Sequence, residues 1–222
     1  MSNRNAINDH LFRGTNTLRI TNLLQDYADM ICFWVATDRQ SLHYAPREIL
    51  HGGSGLMSKD GLPKPAYYAL YFLSKLGNRM IGRGAGFLAV QNSPNNIYIL
   101  CYNHKDLVYD YKYDEEYLVN VYNVDSMFEN NFSRNLRFMV HGLEQNQEYV
   151  IKRHMVNQDH GSLMDAGTRL GYEPEMRKND IQYLKSVCVP RIKMEHRVAE
   201  EGQIFLEAEL KAHEMLLLHI YK

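Results

Sequence analysis

Apolar positions along this chain change their spacing as it runs, and each change marks a different kind of element. Between Ala6 and about Leu24, Ile7, Leu11 and Leu18 recur near helical spacing, with Asn5 placed as a cap and Gly14 the main breaker, so the stretch predicts a helix. Met30-Ile31-Cys32-Phe33-Trp34-Val35 then forms an apolar run without alternation. That is the pattern of a strand covered on both faces, as in a parallel sheet flanked by helices. After a long polar, glycine-rich loop, Pro63-Lys64-Pro65 opens a second helix over Ala66 to Leu76. Proline suits a first helical turn, and Gly77 suits a left-handed stop.

The first 79 residues therefore read helix, doubly covered strand, helix, with no second strand of the same kind to pair with the first. A lone strand leaves backbone edges and apolar faces without partners, so the expectation is that the rest of its sheet lies upstream, outside this sequence. That strand is also expected to drive oligomerisation or refolding of the segment.

Beyond Gly82-Arg83-Gly84 the pattern becomes that of antiparallel strands. Phe87 to Asn92 and Ile97 to Tyr102 flank the turn signal Ser93-Pro94-Asn95-Asn96 and predict a hairpin. Leu136, Phe138 and Val140 alternate with polar partners, Tyr149 to Val156 is another strand, and Ile204, Leu206, Ala208 and Leu210 alternate before the apolar Met215 to Tyr221. A short helix is predicted over Asn179 to Ser186, stopped by Pro190, while Tyr109 to Asn131 fits either helix or irregular connection. The fold class expected is α+β: a helix-strand-helix unit over residues 1–79 and an antiparallel β-sandwich over residues 80–222. No internal repeat or low-complexity tract is present.

Composition narrows the function. With 222 residues, 45% hydrophobic and 23% charged, the chain has enough apolar material for a sizeable core. A net charge of -1 without a Lys/Arg stripe argues against direct nucleic-acid contact. Cys32, Cys101 and Cys188 are far apart, odd in number and set in apolar runs, so they are read as reduced and buried. No stretch matches a membrane span and Met1 to His10 lacks the apolar core of a signal peptide, which points to a cytoplasmic segment.

Candidate chemistry is sparse. His51-Gly52-Gly53-Ser54-Gly55-Leu56 permits tight turns and close backbone approach, and loops after parallel strands are where α/β folds place ligands. It lacks the Lys-Ser/Thr end of a phosphate-binding loop, so a structural turn is the competing reading. The ten histidines include no His-Glu-x-x-His and no closely spaced ligand set, so no metal or other cofactor is expected. Asp110, Asp114, Glu115 and Glu116 read as a solvated face. Glu207 and Glu209 lie two apart in an alternating strand and point to its polar side, where no catalytic role is assigned.

The glycine loop, Lys64-Pro65-Ala66-Tyr67-Tyr68-Ala69 and the preceding Phe33-Trp34 together resemble the end of glycoside hydrolase family 39, the β-xylosidases. Asn3-Arg4-Asn5-Ala6-Ile7-Asn8-Asp9 is similar to the start of the seventh barrel helix there. His160-Gly161-Ser162, Asp165, Gly171, Asp180-Ile181-Gln182-Tyr183-Leu184 and the closing Leu210 to Tyr221 strand are similar to its accessory sandwich. The resemblance implies a (β/α)8 barrel with two catalytic glutamates acting as a retaining pair about 5 Å apart. Both fall upstream of this chain by that alignment, so none of its residues is assigned as catalytic.

Trp34 stands where the family places a substrate-binding tryptophan, an apolar platform for a sugar ring; a core tryptophan is the competing reading. Thr37-Asp38 is followed by Arg39-Gln40-Ser41-Leu42 where the family continues with acidic residues, which points to a different sugar or a binding role. The implied partners are a β-xyloside or related carbohydrate, reached through the parent protein, and the missing barrel segment or further copies of the chain. Two other readings are the hydrolase-like part of an AraC-type sugar-responsive regulator and a free-standing carbohydrate-binding sandwich.

Overall fold

The computed structural model describes residues 5–39, 48–113, 119–171 and 176–222. A short 3-10 turn, Ala6–Asn8, is capped by the Asn5 side chain, which accepts from the Ile7 N–H. Helix α1, Leu11–Leu24, then begins afresh with His10 as its N-cap, its ring nitrogen accepting from the Phe12 N–H. Helix α2, Pro65–Leu73, starts with proline in its first turn. The two helices pack closely because Gly14 lacks a side chain. A Cβ there would come 2.9 Å from the Pro65 carbonyl oxygen and 2.6 Å from the Met215 Cε.

Eight strands follow: β1 Met80–Gly84, β2 Phe87–Ser93, β3 Asn96–Tyr102, β4 Arg134–His141, β5 Glu148–Val156, β6 Arg191–Val198, β7 Gln203–Leu210 and β8 Met215–Tyr221. They form a six-stranded sheet in the order β1-β2-β3-β8-β5-β6 and a two-stranded β4-β7 ribbon. Every pairing between these strands is antiparallel. Three helices lie in the connections: α3 Tyr109–Tyr113, α4 Leu163–Arg169 and α5 Lys178–Val187.

The large sheet is covered on both faces over its middle. Ile97, Ile99, Ile151, Leu216 and Leu218 meet Ile204, Leu206 and Val140 of the ribbon in one apolar cluster. On the opposite face Leu88, Leu100, Val156 and Leu217 meet Leu11, Leu18, Tyr68 and Phe72 of α1 and α2. Double coverage explains why Met215 to Leu218 are all buried, whereas β7 alternates buried and exposed residues with Glu207 and Glu209 outside. Burying a Leu- or Phe-sized side chain is worth about 1.5–3 kcal/mol, so these two layers carry much of the folding energy.

Three expectations are corrected. Met30–Val35 is not a strand: Met30 is 78% exposed, Trp34 76%, and Cys32 is exposed rather than buried. Among the described residues no strand runs beside Met30–Val35, so its apolar character has no second layer to bury against. Gly77 is no left-handed stop; α2 ends at Leu73 with Ser74 in right-handed geometry, and Gly77 is small because a Cβ there would collide with Asn92. Cys101 and Cys188 are buried, and all three thiols are free. Helix α4 and strands β1 and β6 were not anticipated. Asp110 is exposed, whereas Asp114, Glu115 and Glu116, together with Gln40, Ser41 and Leu42, lie outside the described residues. Among the described residues no helix is long and apolar enough to cross a membrane.

Candidate functional site

Trp34 sits at the end of the apolar run and projects into solvent, followed by a cis peptide bond to Val35. The backbone just after it is tied to the glycine-rich loop. Leu56 N–H donates to the Val35 carbonyl at 3.1 Å, Met57 N–H to Ala36 at 3.2 Å, and Asp38 N–H to Met57 at 3.0 Å. A parallel bridge joins Thr37 to Met57, and Lys64 N–H donates to the Leu56 carbonyl at 2.9 Å. The loop approaches other backbone closely, as its glycines predict, at Gly52 beside Asn5 and at Gly55 beside Asp38.

Its centre is a buried ionic cluster. The Lys64 ammonium lies 2.5 Å from Asp9 Oδ1 and 2.5 Å from Asp38 Oδ2, and donates to the Gly53 carbonyl at 3.0 Å. All three side chains are essentially removed from solvent. Asp9 Oδ2 accepts from the Gly52 N–H and Asp38 Oδ1 from the Gly55 N–H, each at 2.8 Å. The His51 ring stands 3.7 Å from Asp38. Gly55 must be glycine because a Cβ would come 2.5 Å from the Asp38 backbone nitrogen, and Gly52 because its φ is +70° and Asn5 fills the space beside it.

Electrostatics within this cluster are dominated by burial. Desolvation raises the Asp9 carboxyl above its ordinary range despite the neighbouring ammonium. For Lys64 burial pulls downward, but Asp9 and Asp38 acting together outweigh it and leave the ammonium more basic than usual. A single cation thus holds three separate segments: the turn before α1, the stretch after Trp34, and the start of α2. Lys64 occupies the N-cap of α2 without making a side-chain cap bond. A cation is electrostatically disfavoured at a helix N-terminus, so its tertiary partners must compensate.

The cluster has the character of a support for the segment bearing Trp34 rather than of a reaction centre. Its polar groups are consumed by one another and shielded from solvent. Glu207 and Glu209 stay exposed, with Glu207 in an ion pair to Arg137 at 3.1 Å. Among the described residues no group of His, Cys, Asp and Glu side chains has the geometry to hold a metal ion. Sequence reading named Trp34 and the loop but missed that Asp9, Asp38 and Lys64 converge.

Known proteins resemble this chain over nearly its whole length. The family model described as Glycosyl hydrolases family 39 matches residues 1–205. The chain is 23% identical over 216 residues to a beta-xylosidase from Geobacillus stearothermophilus, covering 97% of this chain and 38% of that protein. It superposes on a GH39 enzyme from Xanthomonas axonopodis pv. citri with a TM-score of 0.82 at 16% identity, covering all of this chain and 42% of the other. A monomeric beta-xylosidase from Caulobacter crescentus CB15 gives 0.82 at 14% identity, covering 99% and 43%. The chain therefore spans about two fifths of the length of these relatives. With the family model matched across most of its length, this chain belongs to glycosyl hydrolases family 39.

Proposed function

We propose that the chain is the C-terminal part of a β-xylosidase-like glycosidase, bracing a catalytic barrel and supplying one wall of its sugar site. In this reading α1, Met30–Val35 and α2 pack against a (β/α)8 barrel whose strands belong to the parent protein, Met30–Val35 pairing only where those strands are present, and the two sheets are its accessory β-sandwich. The retaining pair of glutamates, about 5 Å apart, also belongs to the parent. Hydrolysis is then a property of the whole, not of these residues alone.

The observation that carries the reading is the pairing of family membership with the exposure of Met30 and Trp34. Large apolar side chains set close together in a short segment, and backbone without a ladder, are the marks of a surface designed to be covered. Trp34 is held at its root by the Lys64 cluster and free at its ring, as a platform for the CH-rich face of a pyranose requires.

The test is an assay of the 222-residue chain and of a parent protein carrying both glutamates against aryl β-xylosides and related aryl glycosides. Turnover by the parent and none by the chain is the expected result. Saturable, enzyme-like hydrolysis by the chain alone would overturn the division of labour.

A further inference from the structure

A cleft of about 580 Å³ opens between the C-terminal half of α1 and the turn joining β1 to β2. Its walls are tied together by the Asn22 amide, which donates to the Gly84 carbonyl and to the Tyr102 hydroxyl, each at 2.9 Å. Two ion pairs line it: Arg83 meets Asp26, and Arg19 stands 3.6 Å from Asp106. These four side chains keep between 42% and 52% of their surface in solvent, so a ligand can reach them.

The third arginine of the lining stands apart. Arg134 has no carboxylate partner among the described residues; its Nη1 donates to the Ala85 carbonyl at 2.6 Å. The turn is shaped to receive it, since Gly86 holds φ +97° and a Cβ there would come 2.2 Å from Arg134 Nη1. A guanidinium carries five N–H donors in a planar fork. The Ala85 contact seats that fork and leaves its other donors without a protein acceptor among the described residues.

Lys105 adds to the imbalance. It too has no acidic partner among the described residues, and its ammonium is held below the ordinary lysine range by burial and by neighbouring Arg134. His104, on the cleft wall, is neutral near pH ~7 because burial and Arg19 push it down to about 4. The lining therefore sets three arginines against two aspartates, with Lys105 close by, on a chain whose net charge is -1. Like charges held together without a counter-ion repel, and a bound anion relieves that repulsion.

The remaining lining sets the class of ligand. A nucleic acid is disfavoured because Asp26 and Asp106 stand among the arginines and would repel a run of phosphates. A bare inorganic anion would leave most of the cleft unfilled. A sugar ring with one anionic group suits every wall. Its charge meets Arg134, its hydroxyls donate to the Asp26 and Asp106 carboxylates, and its CH-rich face lies on the Tyr27 ring, which is 86% exposed.

We propose that this cleft binds a monosaccharide bearing a single carboxylate or phosphate group, with Arg134 and Arg19 as donors to the anion. The site shares no residue with the Trp34 segment or the Lys64 cluster, so its failure and a failure of the proposed function are distinguishable.

The test is calorimetric titration of the full chain at neutral pH with D-glucuronate, D-glucose 6-phosphate, D-glucose and inorganic phosphate, each at millimolar concentration. At least one of the two sugar anions should bind saturably and more tightly than inorganic phosphate, with no saturation by D-glucose. The tighter of the two tells whether carboxylate or phosphate is the preferred group, and added salt should weaken it. Arg134→Gln should weaken binding by about 10- to 100-fold, the scale of one hydrogen bond to a charged group. Arg19→Gln leaves the Ala85 contact intact and should weaken it by about 3-fold, with the far-UV spectrum of both variants unchanged. Absence of saturable heat with either sugar anion would overturn the site. So would inorganic phosphate or D-glucose binding as tightly as the sugar anions, or an affinity that survives both variants.

Discussion

Lys64 and Asp38 meet at 2.5 Å inside the protein, with Asp9 an equal distance away on the other side of the ammonium. The three come from separate parts of the chain and fix the backbone that follows Trp34. Breaking such a cluster by removing one member is far costlier than never having built it, because the remaining charges stay buried. Lys64→Met should destabilise the fold by about 3–5 kcal/mol, read as a drop in the urea midpoint. Lys64→Arg should recover little of the loss, since a planar guanidinium does not fit a pocket shaped for a compact ammonium. A Lys64→Met protein with an unchanged midpoint would remove the cluster from the account of how Trp34 is held.

Stability should also carry an acid-side signature from histidine. Burial pushes His104 and His219 down to about 4, and His213 to about 2. An unfolded chain protonates these rings near pH ~6.5, so each contributes stability that is complete above that pH and is lost as pH falls toward the folded value. Asp9, Asp165 and Glu214 are raised by burial and act in the opposite sense, favouring the fold as acid is added. The net curve is therefore shallow, and a single variant isolates the histidine part. His219→Gln keeps a donor toward Asn96, now bonded at 2.9 Å, but cannot titrate. Between about pH 7 and pH 4 its urea midpoint should fall less than that of the unaltered chain.

Most of the strands were legible because burial contrast was strong. In β7, Ile204, Leu206, Ala208 and Leu210 all face inward, and in β8 an unbroken apolar run lies between two layers. The same unbroken pattern in Met30–Val35 misled, since periodicity reports only that a segment wants covering and not whether a partner is present. Strand β6 escaped notice for the reverse reason. It is an edge strand with nearly every residue exposed, including Ile192 and Met194, so its sequence carries no burial signal. The contacts of Asp9, Asp38 and Lys64 are tertiary and leave one local trace, a lysine at the N-cap of α2 where a small polar residue is preferred. His213 leaves none, because its contact with Thr15 joins residues far apart in the chain.

Thiol chemistry distinguishes the exposed segment from the core. Burial lifts Cys101 to about 12 and Cys188 to about 11, which leaves both as inert thiols at neutral pH. Cys32 is exposed beside Trp34. Ellman's reagent should therefore modify one thiol rapidly in the folded chain and the other two only on unfolding. Mass mapping should place the fast label on Cys32, and fast labelling of Cys101 would contradict the packing of the central sheet.

Trp34 is the chain's sole tryptophan, so its fluorescence reports the candidate sugar platform without interference. At 76% exposure its emission should resemble that of tryptophan in water and be quenched readily by iodide. In a parent protein whose barrel closes over Met30–Val35, the same residue should emit further to the blue and resist iodide, while still responding to added xylose. Trp34→Ala in that parent should raise KM by about 3- to 10-fold, the scale of one ring-stacking contact, with a smaller change in kcat. An equal loss in kcat and kcat/KM would instead assign Trp34 to the transition state, and no change in either would return it to a packing role at the barrel's wall.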